Sequence, residues 1–294
     1  MNMRSFILFA CLLLSGALSA QSFTIGTYNI RYANKGDSIN GNGWQQRYPV
    51  IVDMIRFHGM DIFGTQEGLY RQLEDLKNNL PGYAYIGVGR DDGQHGGEHS
   101  AIFYRTDMFE LQDHGDFWLS TITDKPNKGW DAALPRICTW GKFRVRNSRF
   151  TFYMFNLHMD HIGVQARAES ARLILKKISE FPRNVPVVLT GDFNVDQHNE
   201  SYALINRSGV LKDAYELAPF RLATNGTFNS FDPNGKTDSR IDHIFLSNAF
   251  TVKRYGILTD SYRSKKKDTA AGNSNSFAAR TPSDHFPVMV EVRH

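Results

Sequence analysis

The chain has 294 residues, of which 41% are hydrophobic and 13% aromatic, and this apolar content is sufficient for a substantial globular core. Its two cysteines exclude a disulfide-dense scaffold and a zinc site built on cysteines. The formal net charge of +4 is a mild excess, which by itself does not identify a nucleic-acid-binding protein.

Residues 1–20 have the features of a signal peptide. Arg4 supplies a positive charge, residues 6–14 are apolar, and small residues follow up to position 20. The apolar run is shorter than the roughly 18 residues that a transmembrane helix requires. A lipoprotein cut before Cys11 is an alternative, although the residues before it fit that motif poorly. We therefore expect an exported protein, either periplasmic or extracellular.

The chain that remains after cleavage, residues 21–294, is expected to be a single domain without a transmembrane segment, and a monomer. No Pro- or Ser-rich linker divides it, and no internal repeat is visible. Cys138 would be its sole cysteine, so no intrachain disulfide is expected. The core must therefore hold the protein together.

Strand-like runs and amphipathic helices alternate along the chain. Strands are predicted near 23–32, 62–66, 83–89, 99–105, 109–118, 137–146, 150–158, 185–191, 240–247, 251–259 and 286–293. Helices are predicted over 44–57, 69–80 and 163–181, with a further short helix after the strand at 185–191. Many strands with few interposed helices indicate two packed sheets covered by helices.

The stretch 260–281 is polar and aperiodic, and it is predicted to be a long surface loop, either functional or disordered. It contains a run of three lysines at 265–267. A second basic cluster consists of Arg144, Arg146 and Arg149. Each cluster either attracts a polyanion or forms a solvated charged face.

Polar side chains stand at the ends of six strand-like runs, where they can converge on a ligand. They are Asn29, Glu67, His158 with Asp160, Asp192 with Asn194, Asp242, and Asp284 with His285. This mixture of carboxylates, amides and imidazoles is more typical of a hydrolytic metal site than of a core.

The individual motifs leave alternatives open. Asp192 and Asn194 are two residues apart, so on an extended backbone both point to the same side and can hold water or a metal-bound phosphate. They are equally compatible with a turn. Glu67 suits Mg²⁺, which prefers oxygen ligands, or is a surface glutamate. His158, with Asp160 at the same two-residue spacing, is either a phosphate contact or a satisfied core histidine.

Asp242 lies inside a predicted strand, where burying an unpaired carboxylate is unfavourable by several kcal/mol. His285 offers it a partner. A carboxylate paired with an imidazole fixes the tautomer and orientation of the ring for acid–base chemistry. We therefore expect a hydrogen bond between these two side chains.

Taken in chain order, six motifs resemble those of the endonuclease/exonuclease/phosphatase superfamily over nearly the whole mature chain. They are Thr27-Tyr28-Asn29-Ile30-Arg31, Gln66-Glu67, His158-Met159-Asp160, Gly191-Asp192-Phe193-Asn194, Arg240-Ile241-Asp242-His243 and Ser283-Asp284-His285-Phe286-Pro287. The resemblance implies an α/β fold, a four-layer sandwich of two packed, mainly antiparallel β-sheets flanked by helices. It also implies a phosphoesterase site dependent on Mg²⁺, or alternatively Mn²⁺, at one end of the sheets.

The resemblance implies which residues would hold the metal and activate water. Glu67 would bind the metal, Asn29 would help to order it, and Asp284 would be a further metal contact. Asp192 would position or deprotonate the attacking water. Asn194 would hold that water or a phosphate oxygen.

The resemblance also implies which residues would contact the phosphate. His158 and His285 would stabilise its developing charge, with His285 oriented by Asp242. Glu98 would support His158, and Asp160 is a further supporting residue.

The motifs imply the reaction but leave the substrate open. The expected partner is a phosphate ester, with nucleic acid as the leading single candidate and an inositol phosphate, sugar phosphate or phospholipid head group as alternatives. The Trp- and Gly-rich stretch 117–136 either lines the cleft or forms core and turns. A catalytically degenerate binding protein is disfavoured because the site residues are retained. A binuclear metallohydrolase is disfavoured because the sequence has no His-x-His run.

Overall fold

The computed structural model describes residues 22–265 and 276–294. The expected signal peptide, 1–20, lies outside these ranges, as do Lys266 and Lys267 of the lysine run. No helix in the described part of the chain is long and apolar enough to cross a membrane.

The described residues form seventeen strands and six helices. The strands are β1 (Ser22–Asn29), β2 (Ile62–Gln66), β3 (Gly68–Leu69), β4 (Tyr83–Ile86), β5 (Glu98–His99), β6 (Ile102–Arg105), β7 (Phe109–Trp118), β8 (Ile137–Val145), β9 (Thr151–His158), β10 (Val187–Asp192), β11 (Lys212–Asp213), β12 (Arg221–Leu222), β13 (Asp242–Leu246), β14 (Thr251–Ile257), β15 (Tyr262–Lys265), β16 (Phe277–Arg280) and β17 (Val288–Arg293). The helices are α1 (Lys35–Ile39), α2 (Trp44–His58), α3 (Tyr70–Asn79), α4 (Val164–Ser179), α5 (Glu200–Asn206) and α6 (Ala214–Leu217).

Two large sheets contain most of the strands. The first has the order β12-β14-β17-β1-β2-β6-β4, and the second has the order β11-β13-β10-β9-β8-β7. Most neighbours are antiparallel, whereas β1–β2, β9–β10 and β12–β14 are parallel. A parallel pair needs a long crossover connection, and α2 and α4 supply it for β1–β2 and β9–β10. The predicted mainly antiparallel sheets are therefore confirmed.

Three clusters of buried apolar side chains separate four layers. Ile62 and Met154 belong to the cluster between the two sheets. The next residue in each strand, Phe63 or Phe155, faces the opposite way and packs beneath a helical layer. The helices α2 and α3 cover the first sheet, and α4 and α5 cover the second. This is the four-layer sandwich that the resemblance implied.

One buried amide links the two sheets beneath the edge where β1, β2, β9 and β10 end. Asn156 donates to two backbone carbonyls at 2.9 and 3.0 Å. Its oxygen accepts from Gln66 Nε2 at 2.7 Å and from Thr190 Oγ1 at 3.0 Å. Gly64 leaves room for this amide, because a Cβ there would lie 2.1 Å from Asn156 Oδ1.

The prediction of an aperiodic loop over 260–281 is wrong at both ends of that stretch. β15 and β16 form an antiparallel ribbon in which Tyr262 pairs with Arg280. Arg280 also donates to Ser264 Oγ at 2.7 Å and to Asn42 Oδ1 at 2.7 Å. The polar composition of this stretch did not predict a ribbon, because contacts with a segment that is distant in the chain stabilise it. The central part, 266–275, lies outside the described residues.

Candidate active site

The polar strand ends meet at one edge of the sandwich. The parallel strands β1, β2, β9 and β10 end there, and the antiparallel strands β13 and β17 begin there. In the register of the second sheet, Asp192 pairs with His158 on one side and with Asp242 on the other. Gly191 permits this packing, because a Cβ would lie 2.3 Å from the carbonyl oxygen of Leu157. Strand register therefore places three of the predicted residues side by side.

Three residues just beyond the strand ends adopt a left-handed backbone. The φ angles are 56° at Arg31, 64° at Glu67 and 51° at Asn194. Such conformations cost about 1–3 kcal/mol each and persist where surrounding contacts hold them. Asn29 Nδ2 donates to Glu67 Oε1 at 3.0 Å, and Asn194 N donates to Asp192 Oδ1 at 2.9 Å. The extended backbone expected from Asp192 to Asn194 is thus replaced by a turn, because Asn tolerates the left-handed region.

Asp242 and His285 form the predicted pair. His285 Nδ1 lies 2.9 Å from Asp242 Oδ2, and the two residues are 4% and 0% exposed. Burial acts to lower the pKa of His285, but the carboxylates of Asp242 and Asp192 raise it to about 10. The imidazole is therefore positively charged at neutral pH. Its Nε2 points into the site, 3.7 Å from Asp192 Oδ2.

Asp192 lies at the centre of the site and is almost fully buried. Its Oδ2 accepts from Asn29 Nδ2 at 3.0 Å and lies 3.5 Å from His158 Nε2. Burial and repulsion by Asp242 raise the pKa of Asp192 to about 7. A carboxylate that titrates near neutral pH is suited to accept a proton from water.

His158 has the opposite electrostatic environment from His285. Burial, together with the charges of Arg136 and Arg90, holds the pKa of His158 well below its ordinary value, so the ring is neutral. Asn194 Nδ2 lies 3.1 Å from Nε2 of this ring. Glu98 Oε2 lies 3.8 Å from Nδ1 and forms an ion pair with Arg90 at 2.7 Å. The site thus combines a cationic imidazole with a neutral one.

Oxygen donors on the side of β1 and β2 fit a divalent cation. Glu67, Asp284 and the carbonyl group of the Asn29 side chain supply hard ligands of the kind that Mg²⁺ prefers. Arg31 Nη1 lies 3.8 Å from Glu67 Oε2 and 3.5 Å from Asp284 Oδ2, so the two carboxylates already surround a positive charge. Burial raises the pKa of Asp284, and a nearby cation would favour its ionised form.

A second group also has the geometry of metal ligands. The side chains of Asp192, Asp242 and His285 offer atoms that all lie within 4.8 Å of one another. However, His285 is protonated and already donates to Asp242. We therefore interpret this group as a hydrogen-bonded ion pair, which leaves the carboxylates beside Arg31 as the candidate metal ligands.

The structure brings eight of the predicted residues to one edge of the sandwich. They are Asn29, Glu67, His158, Asp192, Asn194, Asp242, Asp284 and His285. Glu98 lies behind His158, as predicted. Asp160 instead holds the turn after β9: its Oδ1 accepts from Gly163 N at 2.8 Å, and its Oδ2 lies 3.2 Å from Arg136 Nε. Its link to the site runs through Arg136, whose charge acts on His158.

Sequence reasoning assigned no role to four residues of the site. Arg31 and Arg136 lie in segments that the sequence singled out, but their charges carried no specific signal. Arg90 reaches Glu98 from a loop, and no local pattern marks it. Phe228 is 44% exposed, and its ring centroid lies 5.1 Å from that of His285. An isolated β-bridge between Phe228 and His285 places this aromatic at the mouth of the site.

The cluster of Arg144, Arg146 and Arg149 lies far from the site. Arg144 pairs with Thr151 at the start of β9, whereas His158 ends that strand about 23 Å away. Arg144 also forms an ion pair with Glu110. The charge of this cluster therefore does not act at the edge where the acids and imidazoles converge.

Comparison with known proteins shows which family the chain resembles. A sequence model of the Endonuclease/Exonuclease/phosphatase family matches residues 26–285. A family protein of known structure from Bacteroides thetaiotaomicron is 58% identical, with a TM-score of 0.90 over 93% of this chain and 98% of that chain. A mannosyl-6-phosphatase from the same species is 58% identical, with a TM-score of 0.88 over 92% and 99% of the two chains. An uncharacterized protein of Acanthamoeba polyphaga mimivirus is 26% identical over 84% of this chain and 91% of its own.

Proposed function

The chain belongs to the endonuclease/exonuclease/phosphatase family, whose members are metal-dependent phosphoesterases, and we propose that it is an exported, Mg²⁺-dependent phosphatase of sugar phosphates. The observation that carries the hydrolytic assignment is the chain of contacts from Asp242 through His285 to Asp192. The relative that supports the substrate class is the mannosyl-6-phosphatase, which matches this chain over nearly the whole length of both proteins.

Glu67, Asp284 and Asn29 would hold the metal. When bound, Mg²⁺ supplies positive charge against the phosphate and favours in-line displacement. Asn29 also donates to Asp192 at 3.0 Å, which links the metal side of the site to the residue assigned to water activation. Mn²⁺ is the alternative metal, because it accepts the same oxygen ligands.

Asp192 accepts the proton of the attacking water, since its raised pKa matches neutral conditions. Asn194 orients that water or holds a phosphoryl oxygen through its amide. The imidazolium of His285 donates from Nε2 to a second phosphoryl oxygen, while Asp242 fixes the ring through Nδ1. His158 remains neutral, and its Nε2 accepts from Asn194 Nδ2 at 3.1 Å, which holds that amide in the site without adding a charge. These contacts strengthen as negative charge develops on the oxygens.

A small sugar phosphate is favoured over nucleic acid, the leading candidate from the sequence. That candidate depended partly on two basic clusters. One of them lies at the opposite end of the second sheet, and Lys266 and Lys267 of the other lie outside the described residues. The cations that remain near the converging acids and imidazoles are His285, Arg31 and the buried Arg90 and Arg136. They are few and clustered, which suits one phosphate group and not an extended polyanion.

A substrate panel tests the assignment. Release of phosphate should be measured with mannose 6-phosphate, glucose 6-phosphate and inositol phosphates, and hydrolysis with sphingomyelin, RNA and plasmid DNA. Each assay should be run with Mg²⁺, Mn²⁺ or chelator. We expect the highest kcat/KM on a hexose 6-phosphate. A His285→Ala protein prepared in parallel reports any contaminating phosphatase. Faster hydrolysis of DNA, RNA or sphingomyelin would reject the sugar-phosphate assignment.

Export rests on the signal-peptide features of residues 1–20. Expression of the full chain with fractionation should place the protein in the periplasm or medium, and its amino-terminal sequence should begin near residue 21. A protein retained in the cytosol with residues 1–20 intact would overturn this part of the proposal.

A further inference from the structure

A cleft of about 1060 Å³ lies on the α2 and α3 side of the site. The first turns of both helices and the loop at 95–97 form its walls. Sites for drug-sized ligands typically have volumes of about 300–1,000 Å³. A cleft of this volume therefore has room for more than a single sugar ring. No residue assigned to the hydrolysis of the phosphate ester lines it.

The cleft adjoins the metal side of the site. Ala33 and Leu69 belong to its wall, and they lie two residues beyond Arg31 and Glu67, a backbone reach of about 7 Å or less. Gln72 joins the two regions: its Oε1 accepts from Ala33 N at 2.8 Å, and its Nε2 donates to the Arg31 carbonyl at 3.0 Å. A ligand whose phosphate occupies the site can therefore extend directly into the cleft.

The side chains of the cleft have the chemistry that recognises sugars. The Tyr70 and His95 rings lie with their centroids 3.9 Å apart and form an aromatic surface against which the C–H face of a pyranose ring can pack. Gln45 and Gln46 present exposed amides that both donate to and accept from hydroxyl groups.

The charges of the cleft favour a neutral ligand. The two carboxylates of Glu74 and Asp75 outnumber the guanidinium of Arg71, so the cleft has no excess of cations. Trp44 Nε1 donates to Asp75 Oδ2 at 2.7 Å, which fixes this carboxylate on the wall. A second phosphate or a nucleic-acid strand would find no net positive charge in this cleft.

We propose that this cleft binds the neutral oligosaccharide that carries the phosphorylated sugar, so the enzyme removes phosphate from the end of a glycan in preference to a free sugar phosphate. The inference rests on the proposed function and specifies its substrate class. The phosphate enters the site between His285 and Glu67, and the following sugar rings lie along Tyr70 and the amides of α2.

The test compares mannose 6-phosphate with mannotriose phosphorylated at O6 of its non-reducing end. We expect kcat/KM of the wild-type enzyme to be at least about tenfold higher for the phosphorylated trisaccharide, which corresponds to about 1.4 kcal/mol. Tyr70→Ala should reduce this ratio towards one, mainly by raising KM for the trisaccharide. Phe57→Ala is the matched control, because Phe57 is an aromatic that is 85% exposed and does not line the cleft. A wild-type ratio near one, or an unchanged ratio in Tyr70→Ala, would overturn the inference.

Calorimetric titration with unphosphorylated mannotriose gives a readout independent of hydrolysis. Wild-type protein and Phe57→Ala should bind it, and Tyr70→Ala should bind it at least about tenfold more weakly. Gln46→Ala, an exposed substitution, provides a second variant if Tyr70→Ala does not fold. If no sugar phosphate is hydrolysed, the proposed function fails, whatever the titration gives. If sugar phosphates are hydrolysed but mannotriose does not bind, the cleft assignment alone is wrong.

Discussion

His285 Nδ1 lies 2.9 Å from Oδ2 of Asp242, and these two side chains are almost completely excluded from solvent. A buried carboxylate without a partner would be strongly unfavourable, as would a buried imidazolium alone. Together they neutralise each other and fix the ring so that its other nitrogen faces Asp192 at 3.7 Å. This pair thus stabilises the edge of the sandwich and orients the imidazole of His285 towards Asp192.

Asp242→Asn should lower kcat by about 10²-fold or more, because the imidazole would lose both its orientation and its stabilised charge. Steady-state kinetics with a hexose 6-phosphate measures this effect, and circular dichroism checks that the fold is kept. Asp124→Asn, a change at an exposed aspartate, is the control and should leave kcat unaltered. An Asp242→Asn enzyme with near-normal kcat would remove the pair from the mechanism.

The ion pair of His285 with Asp242 should make the free energy of unfolding fall as the pH rises. The folded-state pKa of His285 is raised from 6.5 to about 10. Its contribution is therefore fully present below about pH 6.5 and is lost as pH rises through 10. Between these limits the free energy of unfolding should fall by at most about 1.4 kcal/mol per pH unit through this group. Urea unfolding of the metal-free wild-type protein and of His285→Gln at several pH values measures this dependence of the free energy of unfolding. The difference between the two proteins should shrink with rising pH, and a constant difference would contradict the assignment.

Chelation should abolish hydrolysis, and Mg²⁺ should restore it, because Glu67 and Asp284 present carboxylates suited to a hard cation. Glu67→Ala should raise the Mg²⁺ concentration needed for half-maximal activity by about tenfold or more. Metal titration of the rate measures this shift. Glu110→Ala removes a carboxylate paired with Arg144 at the far end of the second sheet, and it should leave the titration unchanged. Full activity after exhaustive metal removal would refute the metal assignment.

Charge reversal at Arg144 and Arg146 should leave kcat/KM unchanged for a small phosphoester and for DNA alike. Arg144 lies at the end of β8 remote from His158 and Arg146 directly follows that strand, so neither reaches the edge where the acids and imidazoles converge. Kinetics at low and moderate salt measures this directly. A loss of activity confined to DNA, with a shallower salt dependence, would restore the nuclease candidate.

Asn156→Ala should destabilise the fold by about 3 kcal/mol, because it opens a cavity between the sheets and removes the acceptor that Gln66 Nε2 and Thr190 Oγ1 share. Gln66 Nε2 keeps its bond to Thr27 Oγ1, and Thr190 Oγ1 keeps its bond to the Phe155 carbonyl. Two backbone carbonyls also lose their side-chain donor. Equilibrium urea unfolding gives the value. Asn184→Ala, at an exposed loop position, should change stability by less than about 0.5 kcal/mol. Equal effects of the two substitutions would show that the inter-sheet amide contributes nothing specific.

The sequence by itself determined the long elements of the fold and most of the site. Runs such as 151–158 and 164–179 carry a strong periodic pattern, because burial of one or both faces dictates which positions are apolar. The acids and imidazoles were identifiable because they interrupt that pattern at strand ends, and the order of the motifs indicated the family. The partnership of Asp242 with His285 followed from the need to pair a buried carboxylate.

Only the tertiary structure decided which groups act on those residues. Glu98 in β5 lies 3.8 Å from His158 and pairs with Arg90, Asp160 turns away to Arg136, and Phe228 reaches His285 across a β-bridge. The ribbon of β15 and β16 and the cleft beside α3 likewise depend on segments far apart in the chain. Local patterns record which side of an element is buried, whereas pKa values and ligand shape depend on which distant side chains the packing brings within a few ångströms.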